Sequence, residues 1–197
     1  MIYLYPDVDE LLQNGKCNVV IYGGSFSPVT TGHMSVITNV MTAFPSNTIC
    51  YLVPIIDDWI VKNKGCNRLV TKQHRVAMCE LAIEDIKIYH PNWNLVVTSF
   101  WDTEVDNSLL EYYHTLYPQS NICYLCGTDV YNSFCYWSQC SQQALSSDRF
   151  NLIVYPRNDD DISSTHVYNI YQQDNKLTHV IDTVAQYILD NNLMSTK

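Results

Sequence analysis

Short apolar runs rich in β-branched residues alternate along this chain with stretches of helical period, and that order constrains the fold more than any other feature. Cys17-Asn18-Val19-Val20-Ile21-Tyr22 is such a run, and its end at Gly23-Gly24 reads as a buried strand entering a tight turn. Residues 33–44 then look helical, and Thr48 to Val53 forms a second run closed by Pro54. The polar stretch from there to Val70 has no clear period and reads as a long loop. Thr71 suits an N-cap for a helix in which Val76, Cys79, Ile83 and Ile86 recur at three- and four-residue steps. Leu95 to Thr98 reads as a strand, and Asn107 to Tyr117 as a helix stopped before Pro118. Two further strands are expected at Asn121 to Cys126, ending at Gly127, and at Asn151 to Tyr155, before Pro156. After Asp159-Asp160-Asp161 come two helical segments, the last with Ile181, Val184, Ala185 and Ile188 on one face. The alternation predicts an α/β fold, a parallel sheet with helices on both faces and ligands beyond the carboxyl ends of the strands.

A length of 197 residues suits one domain over 1–197, with a C-terminal helical segment at about 163–193. At 47% hydrophobic and 16% charged residues the chain can bury a substantial core, which argues against disorder and coiled coil. Eleven Lys and Arg against twenty Asp and Glu leave a net charge of −9, a surface that repels phosphate backbones; nucleic acid is not an expected partner. Met1 to Asp7 carry no basic region, and no uncharged stretch of about 18 apolar residues occurs, so the expectation is a cytoplasmic protein without a membrane partner. The oligomeric state is left open, a homo-oligomer included. The eight cysteines include several inside apolar runs such as Ile49-Cys50-Tyr51-Leu52, which favours reduced core thiols. Cys123-x2-Cys126 and Cys135-x4-Cys140 invite a zinc reading, but side chains three apart on a strand point to opposite faces; no protein-held metal is expected.

Chemistry concentrates after the first long run, in Gly23-Gly24-Ser25-Phe26-Ser27-Pro28-Val29-Thr30-Thr31-Gly32-His33, with a helix beginning near the histidine. A glycine-rich turn feeding a helix N-terminus presents backbone N–H groups and a positive dipole end, which suit phosphate oxygens. The string is neither GxGxxG nor a P-loop, so both of those readings fail. Residue by residue, Gly23-Gly24 also fits an ordinary strand-to-helix turn, and His33 a surface or helix-start histidine. Lys62, Lys64, Arg68, Lys72 and Arg75 place five of the eleven cations within fourteen residues, with no acid between Asp58 and Glu80. That patch reads as a solvated loop and helix start or as a phosphate contact. Arg75 is either a phosphate clamp or, slightly favoured, a structural partner of an acidic side chain.

The whole string resembles the nucleotide-binding motif of the nucleotidylyltransferase superfamily, GxFxPxHxGH in its TxGH variant, with Gly24, Phe26, Pro28, Thr30, Gly32 and His33 matching. Further matches follow in order. Val53-Pro54, then Lys62 and Lys64, then His74-Arg75-Val76-Ala77-Met78-Cys79-Glu80-Leu81-Ala82 resemble the lysine-bearing loop and HRxxMxxLA of the nicotinamide/nicotinate mononucleotide adenylyltransferases. Gly127-Thr128-Asp129 with Trp137 resembles that family's GxDxxxxxxxW, and Ile162-Ser163-Ser164-Thr165 its ISSTxxR. Residues 184–188 with Asn192-Leu193 resemble its closing helix, so the resemblance spans about 17–193.

That resemblance implies a Rossmann-like nucleotidylyltransferase fold and transfer of AMP from ATP to nicotinamide mononucleotide, nicotinate mononucleotide or both, with pyrophosphate released and Mg2+ carried by ATP. His33 is then expected at the α-phosphate, and Thr30, standing where HxGH has its first histidine, as a hydroxyl donor to phosphate. Gly24, Ser25 and Phe26 fall in the ATP turn, and Lys62 or Lys64 is a phosphate contact. Asp129 would accept from ribose hydroxyls, with Gly127 admitting the ligand to the backbone; its competing role is to cap a helix starting at Val130. Ser163, Ser164 and Thr165 form a second anion site for the β- and γ-phosphates. Trp101 and Trp137 are candidates to sandwich the pyridine, or ordinary core residues.

The chain also departs from the pattern, because Tyr168 stands where ISSTxxR has arginine and three aspartates precede the motif. A tyrosine gives one neutral hydrogen bond where arginine gives a charged fork. Arg157 is the expected compensating cation, with His166 as a second. Two other readings stay open: a related adenylyltransferase with phosphopantetheine as acceptor, and a catalytically silent nucleotide-binding module.

Overall fold

A computed structural model of the chain describes residues 2–5, 7–8, 17–65, 70–98, 106–132, 142, 150–156 and 162–194, with backbone alone at 17, 18, 63, 64 and 106–108. Six strands form one parallel sheet: β1 (Ile2–Leu4), β2 (Cys17–Gly24), β3 (Ile49–Pro54), β4 (Asn94–Val97), β5 (Asn121–Gly127) and β6 (Phe150–Tyr155). Their spatial order is β1-β6-β5-β2-β3-β4. The helices among the described residues are α1 (Thr31–Ala43), α2 (Asp57–Lys64), α3 (Lys72–Tyr89), α4 (Asp106–Leu116), α5 (Thr128–Tyr131), α6 (Ser164–Asp174) and α7 (Asp182–Asp190).

The apolar runs are continuous because both faces of the sheet are covered. Val20, Tyr22, Cys50, Leu52, Cys123, Leu125 and Ile153 point into one core, where α1, α3, α6 and α7 contribute Ile37, Met78, Val167 and Val184. Val19, Ile21, Val53, Ile122, Cys126, Leu152 and Val154 point into the other, against Leu109, Leu110 and Tyr113 of α4. Cys123 and Cys126 therefore lie on opposite faces, as the strand period requires.

Two sequence expectations need correction, and one strand comes in addition to them. The stretch after Pro54 is not all loop, because α2 occupies Asp57–Lys64, with Asp57 and Asp58 in its first turn and Ile60 fully buried. Acidic residues near a helix N-terminus favour it through the dipole, but one buried side chain among those described leaves no period to read. The N-terminus adds β1, which joins β6 with Tyr3 opposite Ile153. Finally, Cys50, Cys79 and Cys126 are free and buried, as expected of core thiols, whereas Cys123 is disulfide-bonded. No helix among the described residues is long and apolar enough to cross a membrane.

Burial has a measurable consequence at high pH. It pushes the Cys50 and Cys126 thiols up from 9.0 to about 12, and the Tyr113 phenol up from 10.0 to about 12. The folded chain thus keeps protons that the unfolded chain releases, so their contribution to stability is complete below about pH 9 and is lost as pH rises toward 12. Each such group removes about 1.4 kcal/mol of stability per pH unit across that window. Urea unfolding midpoints should fall steadily between pH 9 and 11; a constant midpoint would contradict this account.

Candidate functional site

Parallel strands bring their carboxyl ends to one edge, where Gly24 lies opposite Pro54, and Gly127 opposite Tyr155. The chain runs outward from β2 through β3 to β4, then returns to the other side of β2 with β5 and β6. The switch point is therefore between β2 and β5, the position at which sheets of this kind bind ligands. The glycine turn leaves β2 there, and Gly127-Thr128-Asp129 leaves β5 beside it.

Within the turn, Phe26 has a φ of 44°, in the left-handed region, and its ring is fully buried beneath Gly24. A Cβ at Gly24 would sit 3.0 Å from that ring. The ring also meets Tyr22 and His33 edge-on, with centroids 5.4 and 5.1 Å apart. Phe26 is thus a structural floor to the turn, and its contribution to a ligand site is made through backbone.

Thr30 caps α1 in extended conformation, and the cap is reciprocal. The Thr30 hydroxyl oxygen accepts from the His33 backbone N–H at 3.4 Å, while His33 Nδ1 accepts from the Thr30 backbone N–H at 3.0 Å. The hydroxyl expected at a phosphate is instead 1% exposed, donates to the Ile162 carbonyl at 3.1 Å and lies 2.8 Å from His33 Nδ1.

The segment entering α6 docks against this turn. Ser164, 6% exposed, donates to the Pro28 carbonyl at 2.7 Å, so its hydroxyl joins the two segments. Ser163 caps α6 by accepting from the His166 N–H at 3.1 Å, with Thr165 half-buried behind it. Thr31 adds a third tie, its N–H and hydroxyl both donating to the His179 carbonyl, at 2.9 and 3.3 Å. The amino ends of α1 and α6 are thereby brought side by side, a paired source of N–H donors and positive dipole suited to an anion with several charged oxygens.

Gly32 makes this apposition possible, since a Cβ there would lie 2.8 Å from the Ile162 carbonyl oxygen. That obstacle is backbone and cannot swing aside. Gly32→Ala should therefore push the two helix starts apart and lower stability by about 1–3 kcal/mol, the usual cost of overpacking. A variant with the parent's urea midpoint would show that the contact is dispensable.

Arg75 is not part of any surface charge. It is fully buried on α3 and donates to the carbonyls of Val70 (2.9 Å), Ser25 (2.9 Å) and Ile55, and to the Asp57 carboxylate at 2.6 Å. Asp57 in turn accepts from the Lys72 N–H at 3.1 Å. Burial lowers the guanidinium's proton affinity, and Asp57 acts in the opposite direction. This single side chain holds the exits of β2 and β3 and the start of α2. The structural role favoured for Arg75 is the one found, and its acidic partner is the aspartate preceding the run of cations.

The other predicted residues divide into two groups. Lys62 is exposed on α2, and Lys64 ends that helix with only its backbone described. Asp129 is exposed in the first turn of α5, whose N-cap is Gly127, so it does not cap a helix starting at Val130. Tyr168 is half-buried on α6. Trp101, Trp137 and Arg157 lie outside the described residues. Sequence reasoning missed the carbonyls of Pro28 and Ile162, which join the start of α1 to the segment entering α6, and of His179, which joins α1 to the stretch between α6 and α7. Only the positive φ of 63° at His179 distinguishes one of them, and no residue type signals it.

Comparison with known proteins places these features in context. The sequence profile described as Cytidylyltransferase-like matches residues 21–180. A probable nicotinate-nucleotide adenylyltransferase/Ap4A hydrolase of Mycoplasma genitalium is 27% identical over 131 residues, 64% of this chain and 34% of that protein. A probable nicotinate-nucleotide adenylyltransferase of Staphylococcus epidermidis is 25% identical over 122 residues, 60% of this chain and 59% of its own length. The chain thus spans about a third and three fifths of these two relatives. A namesake from Methylacidiphilum infernorum is 24% identical over 89% of this chain and 91% of its own. Among solved structures, Plasmodium falciparum nicotinic acid mononucleotide adenylyltransferase complexed with NaAD superposes with a TM-score of 0.70 at 19% identity, covering 92% of this chain and 98% of that one. The fold is therefore that of the α/β Rossmann-like nucleotidylyltransferases.

Proposed function

This chain belongs to the cytidylyltransferase-like family, and we propose that within it the chain is an adenylyltransferase that transfers AMP from ATP to nicotinate or nicotinamide mononucleotide, a cytoplasmic step of NAD biosynthesis. The names of its relatives support this acceptor. The observation that carries the reading is the docking of the segment entering α6, through Thr30 and Pro28, on the turn that starts α1 at the switch point of the sheet.

In the proposed reaction a phosphate oxygen of the mononucleotide attacks the α-phosphorus of ATP. A new P–O bond forms to the acceptor, the bond from the α-phosphorus to the bridging oxygen breaks, and pyrophosphate leaves with the electron pair. No protein nucleophile is required, so catalysis is positioning and charge stabilisation. His33 faces the α-phosphate, and the N-termini of α1 and α6, with Ser163 and Thr165, receive the triphosphate. Gly24 and Ser25 bring backbone close to the nucleotide. Lys62 or Lys64 reaches in from α2 as a phosphate contact, and Arg157 supplies the charge that Tyr168 does not. Asp129, beside Gly127, takes the ribose hydroxyls, and Trp101 and Trp137 flank the pyridine.

Among the described residues the side chains at the glycine turn are hydroxyls and an imidazole rather than a cluster of carboxylates, a set suited to phosphate oxygens rather than to a cation that takes oxygen ligands. Mg2+ would accordingly be held by the triphosphate, where it neutralises charge on the departing pyrophosphate.

The replacement of the motif's arginine by Tyr168 favours one other reading, a module that binds nucleotide without turning it over. Pyrophosphate release with ATP and Mg2+, assayed separately with nicotinate mononucleotide, nicotinamide mononucleotide and phosphopantetheine, decides among them. Release with a pyridine mononucleotide supports the proposal, and release with phosphopantetheine alone replaces the acceptor. ATP binding without release from any of the three favours the silent module.

A further inference from the structure

We propose that Thr30 is a positioning residue that fixes the tautomer of His33, holding Nδ1 as an acceptor so that the ring hydrogen sits on Nε2, the nitrogen that then donates to phosphate. The role for Nε2 rests on the adenylyltransferase reading; the tautomer itself does not. A neutral imidazole has one bare nitrogen with one lone pair and one nitrogen carrying hydrogen. The backbone N–H of Thr30 can only donate, and it points at His33 Nδ1 from 3.0 Å, so Nδ1 is the bare nitrogen. The hydroxyl of the same residue donates to the Ile162 carbonyl oxygen at 3.1 Å and lies 2.8 Å from Nδ1, so with Nδ1 bare the two acceptors share its one hydrogen.

The ring is also constrained in orientation. It is 9% exposed, packed edge-on to Phe26 and tilted against Tyr22, with centroids 5.1 and 6.2 Å away. Through Ile162 the same hydroxyl ties His33 to the segment entering α6, so the histidine and the second helix start are placed by one side chain. A threonine in the first position of this motif thus acts on the reaction through the histidine.

The test combines a spectrum and a rate. In the 15N-histidine-labelled protein, with His33 assigned by its absence from His33→Gln, the two-bond proton–nitrogen pattern reports which ring nitrogen carries the hydrogen. The expected result is the Nε2–H form; an Nδ1–H form, or an average of the two, overturns the proposal. Thr30→Val removes one of the two donors, and its His33 signal should move toward averaging while kcat falls about tenfold with the KM for ATP little changed. Thr30→Ser, which keeps the hydroxyl, should restore both. A folded Val variant with the parent's spectrum and rate would also overturn it; should that variant not fold, the parent and Ser spectra still decide. If the parent shows the Nε2–H form yet releases no pyrophosphate with any acceptor, the adenylyltransferase reading fails alone.

Discussion

His33→Ala is expected to lower turnover roughly 100- to 1000-fold, the cost seen when one preorganised donor to a developing charge is removed. The hydrogen bond from His33 is proposed to strengthen as charge gathers at the α-phosphate, so the loss should fall on kcat more than on the KM for ATP. The same substitution also removes the acceptor that Thr30 N–H uses in the α1 cap. Loss of such a cap interaction costs about 1 kcal/mol. Urea unfolding measured beside the rates separates the two effects, because a drop of that size leaves most molecules folded. A folded alanine variant working at the parent's rate would remove His33 from the mechanism.

The parts of this fold legible in the sequence are those whose signal is local. β2, β3, β5 and β6 were readable as continuous apolar runs because helices cover both their faces. α3 was readable because six buried residues recur along eighteen positions. By contrast, α2 offers one fully buried side chain among those described, Ile60, and its first turn is fixed by Asp57 meeting an arginine eighteen positions away. β1 is three residues long with one buried side chain, and only β6, far along the chain, makes it a strand.

The site shows the same division. Gly24, Gly32 and His33 announce a strand, a turn and a helix start within ten residues. What determines the geometry of that turn is remote, because Thr30, Ser164 and Thr31 meet carbonyls 132, 136 and 148 positions away. A carbonyl belongs to every residue, so no side-chain pattern could have marked those three. The role given to the Thr30 hydroxyl changed for this reason: its local chemistry suits phosphate, and its long-range partner occupies it.

Arg75→Met should destabilise the chain by about 3–5 kcal/mol, the usual result of removing one partner from a buried ion pair. The methionine would fill much of the volume but leave the carbonyls of Val70, Ser25 and Ile55 without a donor they now share. A buried acceptor left unpaired costs about 1–3 kcal/mol. Asp57 softens the loss, since a third of its side chain is exposed and water can solvate it. Arg75→Lys should recover little, because an ammonium is a point of charge and cannot reach acceptors spread around a planar fork. Ser25 and Ile55 follow the ends of β2 and β3, so relaxation of the clamp reaches the glycine turn directly. ATP affinity should therefore fall in both variants even at temperatures where they remain folded. Calorimetric titration with ATP, alongside urea midpoints, checks both parts; a methionine variant matching the parent in each would mean that the four contacts are incidental to stability and to the site.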